Sequence, residues 1–332
     1  MSQKMLIALA GQPNAGKSTI FNVLTGARQH VANYPGVTVE KKVGYFSHKG
    51  ISAEIVDLPG TYSLTSYSME ERVARDFILK DNPSLVINVV DASNLRRHLF
   101  LSFQLLEMGA PVIMSLNMMD VSESRNQVID VGKLEETLGI PVIPTIGRKG
   151  VGKKELRQAL GKEYDQAGAR LRIDYGPLEP HIDSLENEIK GKVDSAAPPR
   201  WLAIKLLEGD TGIRDFMASI HPEAKRLLQT ADSFMASFKE AENITADQFI
   251  EQRRYTLASS IAESCVEAPE EGAITRSDKV DRIICHRFLG YPILFGAMYL
   301  MYYLSIEWGY ELTNYTWPIL AGAREFVAGL LP

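Results

Sequence analysis

A phosphate-binding pattern stands near the start of the chain. The octapeptide fits G-x-x-x-x-G-K-[ST] and consists of Gly11, Gln12, Pro13, Asn14, Ala15, Gly16, Lys17 and Ser18. Glycine at both ends lets the backbone turn sharply and present its N–H groups to phosphate oxygens without Cβ atoms in the way. We expect Lys17 to reach the β- and γ-phosphates and Ser18 to bind Mg²⁺, with Thr19 beside it at a helix N-terminus that favours anions.

The residues that flank this octapeptide indicate whether the pattern is meaningful. Residues 5–10 form a short apolar run typical of a buried strand, and residues 18–24 have the pattern of a helix. Strand, loop and helix therefore follow in the order that a phosphate-binding loop requires. This order disfavours the alternative, a chance glycine-rich turn.

A second motif, D-x-x-G, follows a later apolar strand. It consists of Asp57, Leu58, Pro59 and Gly60. The carboxylate can hold Mg²⁺ through water, and the glycine N–H can sense a γ-phosphate. The motif therefore predicts the metal side of a nucleoside triphosphate site.

A third motif predicts which base is bound. Asn117, Met118 and Asp120 follow the apolar run at residues 112–116. A carboxylate at residue 120 can accept hydrogen bonds from N1 and N2 of guanine, which adenine cannot supply. We expect Thr145, Ile146 and Gly147, after the last strand, to add contacts on the guanine side.

A loop between the first helix and the second strand carries a further hydroxyl. Gly36, Val37 and Thr38 lie on it, and Thr38 is a candidate second hydroxyl ligand of Mg²⁺. Such loops become ordered when the γ-phosphate is present. Each short motif is weak alone, but together, in this order and at predicted strand ends, they indicate a GTP site.

The elements that must position these motifs alternate along the first part of the chain. Residues 85–90 and 112–116 are near-continuous apolar runs, expected of strands buried on both faces. Other strands are predicted at residues 41–47, 51–56 and 141–144, and helices at 17–25, 69–80, 95–108, 131–138 and 153–160. This succession predicts an α/β domain over residues 1–165 with a mostly parallel sheet and ligands at the carboxyl ends of the strands.

The pattern changes to helices after about residue 165. Helices are predicted at residues 177–189, 199–207, 222–238 and 245–268, several with proline in the first turn, and residues 209–212 break one of them. We therefore expect an all-helical domain over residues 166–270.

The last part of the chain is apolar. Residues 288–306 are an uncharged stretch of 19 residues, about long enough to cross a hydrocarbon core of roughly 30 Å. The basic residues of the preceding linker, 271–287, predict that residues 1–287 are cytoplasmic. Residues 307–332 are expected to be interfacial or to begin a further membrane domain. The alternative for residues 288–306 is a buried core helix.

Composition excludes some functions. The net charge of −5 gives no electrostatic reason for binding nucleic acid. The two cysteines, Cys265 and Cys285, lack metal-like spacing and fit a reduced cytosolic setting. No signal peptide is predicted at the N-terminus.

Three stretches carry a family resemblance. Residues 33–41, 57–64 and 68–75, together with the motifs above, resemble the FeoB family of bacterial ferrous iron transporters, whose cytosolic N-terminus is a GTPase. The resemblance implies hydrolysis of GTP to GDP and phosphate, and a helical domain that modulates nucleotide release. It further implies Fe²⁺ as the transported ion, through a domain in the bacterial inner membrane that is mostly absent from this chain. The resemblance also suggests three further interactions: with the lipid bilayer, with a small FeoA-like accessory protein, and with other copies of this chain in a homo-oligomer.

The resemblance also assigns a monovalent cation. Asn14 matches the residue that binds K⁺ in FeoB and in relatives with this loop, and its side-chain carbonyl is an oxygen ligand that K⁺ accepts. The alternative is that Asn14 only braces the loop. Thr61 and Tyr62 stand where many GTPases have a water-orienting glutamine. The predicted catalytic residues are therefore Asn14, Lys17, Thr38 and Gly60.

Two other functions remain open at this point. One is a soluble K⁺-dependent GTPase of ribosome assembly or tRNA modification, which the acidic composition and the apolar stretch at residues 288–306 disfavour. The other is a membrane-tethered nucleotide sensor without a role in transport. Iron uptake in a strain that lacks the gene would separate the transporter from the sensor.

Overall fold

The structure, a computed structural model, describes residues 5–26, 29–34, 37–48, 51–161, 171–193, 195, 197–220, 223–267, 280 and 283–329. The chain divides into two compact units, residues 1–269 and residues 270–332. The predicted domain boundary near residue 165 lies outside the described residues and stays a prediction.

The first unit consists of an α/β part followed by a helical part. Its strands are β1 (Met5–Gly11), β2 (Gln29–Asn33), β3 (Glu40–His48), β4 (Ile51–Asp57), β5 (Leu85–Asp91), β6 (Val112–Asn117), β7 (Val128–Ile129), β8 (Val142–Pro144) and β9 (Val266–Glu267). Helices of the α/β part are α1 (Lys17–Thr25), α2 (Met69–Asp81), α3 (Leu95–Glu107), α4 (Met119–Ser124), α5 (Val131–Leu138) and α6 (Lys153–Ala159). Those of the helical part are α7 (Glu179–Ile189), α8 (Pro199–Leu207), α9 (Thr211–Ile220), α10 (Ala224–Glu242) and α11 (Ala246–Cys265).

Seven strands form one sheet in the order β2-β3-β4-β1-β5-β6-β8. The pairs that join β4, β1, β5, β6 and β8 are parallel, whereas β2 and β3 are antiparallel to their neighbours. All residues of β6 are buried, and all residues of β5 except the last are buried, as expected for strands covered on both faces. The predicted P-loop α/β fold is confirmed, and the parallel strands bring Gly11, Asp57 and Asn117 to the same edge of the sheet.

Helix α8 is the centre of the helical part. Every residue from Trp201 to Leu207 is buried, and the helix packs against α7, α9 and α10. A helix that is apolar nearly all round belongs in a core. Helix α11 packs along α3, so it connects the helical part to the α/β part.

Buried ion pairs also join the two parts of the first unit. Arg254 of α11 binds Glu107 of α3, with 2.8 Å between Nη2 and Oε2, and it also contacts Glu208 at the end of α8. Arg75 of α2 binds Asp210, which precedes α9, at 3.2 Å. Because each of these charges has a partner of opposite sign, the network satisfies groups that would be costly to bury alone.

Several elements differ from the sequence-based expectation. Strand β2 lies in the segment that was predicted to be a loop. The helix break predicted at residues 209–212 falls between α8, which ends at Leu207, and α9, a helix that was not predicted and begins at Thr211. The carboxylate of Asp210 accepts a hydrogen bond from the backbone N–H of Ile213 at 3.1 Å, which caps the start of α9. Helix α11 ends at Cys265, and β9 follows it to pair with β7.

The described residues of the second unit are mostly helical. Helix α12 (Gly290–Tyr303) is followed by a π-helical turn (Leu304–Trp308) and by α13 (Gly309–Gly329). No helix among the described residues combines the length and the apolar character that crossing a bilayer requires. Within the predicted segment 288–306, the 14 residues of α12 are followed by the π-helical turn, and the prediction of a membrane-crossing helix there is not confirmed.

Candidate nucleotide-binding site

The phosphate-binding loop leaves β1 at Gly11 and enters α1 at Lys17. A Cβ atom on Gly11 would lie 2.7 Å from the carbonyl oxygen of Val89 on the neighbouring strand. Gly16 has a φ of +87°, and a Cβ atom there would lie 2.2 Å from Nδ2 of Asn117. Both positions therefore require glycine, in agreement with the motif.

Two side chains of this loop have different environments. Gln12 is buried, and its Nε2 donates a hydrogen bond to the carbonyl oxygen of Arg97 at 2.7 Å, so Gln12 fixes the loop to α3. Asn14 is exposed and left-handed, with a φ of +66°. Within the described part of the chain, no hydrogen bond holds the side-chain amide of Asn14.

Lys17 lies between the loop and the D-x-x-G motif. Its ammonium contacts the carboxylate of Asp57 and donates to the carbonyl oxygen of Leu58. Burial raises the pKa of Asp57 above its usual value, while the adjacent Lys17 ammonium acts in the opposite direction. Ser18 is exposed and Thr19 is half-buried at the start of α1. The cation predicted for phosphate and the carboxylate predicted for Mg²⁺ are thus neighbours.

The D-x-x-G loop is fixed to the phosphate-binding loop by its backbone. The N–H of Leu58 donates to the carbonyl oxygen of Leu9 at 3.0 Å, and the N–H of Thr61 lies 3.4 Å from the carbonyl oxygen of Gly11. A Cβ atom on Gly60 would lie 3.3 Å from the backbone nitrogen of Pro13. The four residues of the motif therefore lie against the loop, with Pro59 half-buried at its surface.

Asn117 connects the phosphate side of the site to the predicted base side. Its Nδ2 donates to the carbonyl oxygen of Ala15 at 3.0 Å, and its Oδ1 accepts from the N–H of Gly147 at 2.9 Å. The hydroxyl of Thr145 lies 3.4 Å from the same Oδ1. Asn117 is buried, so its role is to hold the two loops together.

The predicted base-reading carboxylate has two cationic neighbours. Arg148 donates to Oδ2 of Asp120 from Nη2 at 2.7 Å and from Nε at 3.1 Å, and Nζ of Lys149 lies 3.3 Å from the same oxygen. The hydrogen bonds from Arg148, followed by those from Lys149, lower the pKa of Asp120. Asp120 is therefore ionised and directed toward the loop at residues 145–150.

Two residues shape the backbone beside Asp120. Met118 is left-handed, with a φ of +62°, and it precedes α4. Ile146 is half-buried and forms an antiparallel bridge with Val151, which closes the loop. The structure thus brings all described members of the predicted base-side set together.

The segment that carries Thr38 lies beside β3. Tyr34 is buried, and its ring meets that of Phe77 edge-on with 6.4 Å between centroids. Burial, followed by the charge of Asp57, raises the pKa of the Tyr34 hydroxyl. Val37 is half-buried and Thr38 is exposed, and among the described residues no hydrogen bond joins Thr38 to Lys17 or Asp57. Gly36 lies outside the described residues.

Sequence reasoning missed the roles of Arg148 and Lys149. Both residues directly follow Gly147, the last residue that was predicted to contact guanine, but neither was assigned a partner. Two adjacent cations after the last strand, at the edge where a carboxylate also projects, were the signal that would have indicated this ion pair.

The large cavity of the first unit lies beside this site. It has a volume of about 1250 Å³ and lies between α3 and α11, with Gln12, Tyr62, Arg97 and Tyr255 among its lining residues. Arg97 stacks on the ring of Tyr62 at 4.6 Å from its centroid. Lys17 and Ser18, which are predicted to bind phosphate and Mg²⁺, do not line this cavity.

Two family models match the chain. The model described as ferrous iron transport protein B matches residues 5–160, and the model of the FeoB cytosolic helical domain matches residues 175–267. The chain is 40% identical over 313 residues to the Fe(2+) transporter FeoB of Salmonella typhimurium, a match that covers 92% of this chain and 39% of that protein. It is 38% identical over 305 residues to a fusion of Fe(2+) transport protein A with FeoB from Porphyromonas gingivalis, covering 89% of this chain and 36% of that one. The chain thus spans less than two fifths of these curated relatives.

Solved structures show the same likeness. The cytosolic domain of T. maritima FeoB in its GMPPNP form superposes with a TM-score of 0.70 at 35% identity, covering 79% of this chain and 99% of that one. The cytosolic domain of L. pneumophila FeoB superposes with a TM-score of 0.69 at 35% identity, with the same two coverages. A nucleotide analogue is named for the first of these structures.

Proposed function

This chain belongs to the FeoB family, and on that premise we propose that its α/β part binds GTP and hydrolyses it to GDP and phosphate. The observation that carries the proposal is the convergence of the predicted motifs. Lys17 contacts Asp57, while Asn117 binds both Ala15 and Gly147. One edge of the sheet therefore presents phosphate-binding and base-reading groups side by side, as ligand binding at the carboxyl ends of parallel strands requires.

Side-chain and backbone groups of this chain match the phosphates and the guanine base of GTP. The N–H groups of the loop and the Lys17 ammonium face the phosphates, and the carboxylate of Asp120 accepts from the guanine edge. Gly60 would present its N–H to the γ-phosphate, and Thr38 would bind Mg²⁺ when the γ-phosphate is present. Specificity for guanine follows because guanine offers N1–H and N2–H to Asp120, whereas adenine offers no such pair of donors to that carboxylate.

The same residues fit two cations. Ser18, Thr38 and Asp57 present the hard oxygen atoms that Mg²⁺ prefers, and bound Mg²⁺ would neutralise charge on the β- and γ-phosphates. The exposed amide of Asn14, which no described residue binds, fits a monovalent cation such as K⁺. Thr61 stands at the position where a water-orienting glutamine is usual. A cation bound by Asn14 would help to compensate for the absence of that glutamine.

For the complete protein we propose a role in Fe²⁺ transport at the bacterial inner membrane. The relatives named as Fe(2+) transporters support this proposal, and the fusion in Porphyromonas gingivalis supports a small FeoA-like partner. In that setting the described first unit is the cytosolic GTPase, and its helical part modulates nucleotide release.

A base-swap experiment tests the assignment of the nucleotide. Asp120→Asn should weaken GTP binding and favour xanthosine triphosphate, because the xanthine edge presents the complementary donor and acceptor pattern. Phosphate release from each nucleotide, measured with the full chain and Mg²⁺, reports the change. Glu123→Gln is the matched control, since Glu123 is an exposed acid on the same helix. Unchanged preference for GTP in the Asp120 variant would remove Asp120 from the site.

A further inference from the structure

The predicted guanine-reading carboxylate is already occupied by side chains of its own chain. Both Arg148 and Lys149 direct their cationic groups at Oδ2 of Asp120. They belong to a 3₁₀ turn (Gly147–Lys149) whose first residue is fixed to Asn117. The turn therefore places the two cations at an oxygen of the carboxylate that is predicted to read the base.

The chemistry of the contact resembles that of the base. Guanine offers N1–H and N2–H, two donors on one planar amidine-like edge. Arg148 offers Nε–H and Nη2–H, two donors on one planar guanidinium edge, and both point at Asp120. A carboxylate accepts such a pair well, and the same oxygen cannot serve both partners at full strength.

We propose that Arg148, assisted by Lys149, competes with guanine for Oδ2 of Asp120 and gives up this oxygen when the base binds. This inference rests on the proposed function, because it requires Asp120 to read guanine. Arg148 is then a specificity-determining residue, since a ligand that does not pair with Asp120 cannot compete with it.

The exposure of the two cations sets the size of the effect. The side chain of Arg148 is 71% exposed and that of Lys149 is 57% exposed, whereas that of Asp120 is 12% exposed. Exposed ion pairs contribute little, so displacing either cation changes binding by a few-fold, about two- to fivefold. Arg148 therefore adjusts the rate and affinity of nucleotide binding without blocking it.

The opposite role for Arg148 makes a different prediction. If Arg148 only held Asp120 in a productive orientation, its removal would slow association and weaken binding. If Arg148 competes with guanine, its removal speeds association. The sign of the change therefore separates the two roles.

Stopped-flow association of a fluorescent GDP analogue with the full chain tests the proposal. Arg148→Ala and the double variant with Lys149→Ala should bind about two- to fivefold faster than the wild type. Lys154→Ala is the matched control, because it removes an exposed cation nearby that does not bind Asp120. Slower or unchanged association of the Arg148 variant overturns the proposal.

A second background shows whether the effect acts through Asp120. In Asp120→Asn, with the corresponding fluorescent xanthosine diphosphate, Arg148→Ala should have no effect, because the carboxylate that Arg148 occupies is gone. An equal acceleration in this background would assign the effect to another contact and overturn the proposal. If Asp120→Asn binds the GDP analogue as the wild type does, the base-reading function itself fails, which is a separate result.

Discussion

The ammonium of Lys17 and the carboxylate of Asp57 are in direct contact, although each is predicted to bind a different part of GTP–Mg²⁺. Both side chains are largely buried. Each therefore compensates the charge of the other. If the proposed function is right, nucleotide binding exchanges these ionic partners for phosphate and metal, which costs less than leaving two buried charges without partners.

This contact predicts two separable effects of Lys17→Ala. Hydrolysis should be lost because the phosphates lose their cation. The folded state should also lose on the order of 2 kcal/mol, since the Asp57 carboxylate remains buried without its partner. Thermal unfolding without nucleotide measures the second effect. Ser18→Ala, at an exposed position, should abolish hydrolysis without this loss, and equal stability losses in both variants would contradict the prediction.

Thr38→Ala should separate GDP binding from hydrolysis. The exposed Thr38 has no hydrogen bond to Lys17 or Asp57 among the described residues, so we expect it to join the site only through the γ-phosphate and Mg²⁺. GDP affinity by fluorescence should be unchanged, while phosphate release should fall at least tenfold, as for loss of a charge-stabilising contact. Normal hydrolysis by the variant would exclude Thr38 as a ligand.

The cation preference of hydrolysis tests Asn14. If Asn14 binds K⁺, hydrolysis should be several-fold faster in K⁺ than in Na⁺ at equal ionic strength, and Asn14→Ala should erase the difference while GDP still binds. Asn126→Ala is the matched control, because Asn126 is also exposed and left-handed, with a φ of +56°. Equal rates in both salts for the wild type would leave Asn14 without a role in cation binding.

The buried charges between α3, α8 and α11 predict an acid-sensitive fold. Burial acts to raise the pKa of Glu208, but the Arg254 guanidinium and the Lys205 ammonium outweigh it and lower the pKa to about 2. The folded state therefore binds this proton less readily than the unfolded state does. The resulting stabilisation is complete above the unfolded pKa of roughly 4.5 and is lost as the pH falls toward 2.

Glu208→Gln should reveal this dependence. The variant should be less stable than the wild type at neutral pH, and the difference should shrink between about pH 4.5 and pH 2, where the wild-type carboxylate takes up its proton. Urea unfolding across this range measures both. Glu240→Gln, at an exposed position on α10, should show no comparable change. A stability difference that does not vary with pH would contradict the assignment.

The sequence predicted the α/β part well because its signals are local. Helix α1 and helix α5 have the predicted bounds, since a loop glycine precedes the first and an aspartate caps the second. The loop glycines, the D-x-x-G turn and Asn117 lie where the motifs placed them. These motifs constrain backbone geometry over a few residues, which a single sequence expresses directly.

The features that the sequence did not predict depend on residues far apart along the chain. Strand β2 forms because β3 offers it an edge, and residues 29–33 alone carry no clear strand pattern. Arg75 and Asp210 are separated by more than a hundred residues, and so are Glu107 and Arg254. No local pattern predicts such pairs. Arg148 and Asp120 are closer in sequence, but only the parallel pairing of β6 with β8 brings their loops together.

The approach of Asn117 to Gly16 has a consequence for natural variation. Nδ2 of Asn117 occupies the space that a Cβ atom on Gly16 would need, at 2.2 Å, and the same amide binds Ala15 and Gly147. An alanine at position 16 would meet this amide and would also have to adopt a φ of +87°, so a shorter side chain at position 117 would not be enough to admit it. A shorter side chain at position 117 would in addition release the loop at residues 145–150, so homologues should retain both Gly16 and Asn117.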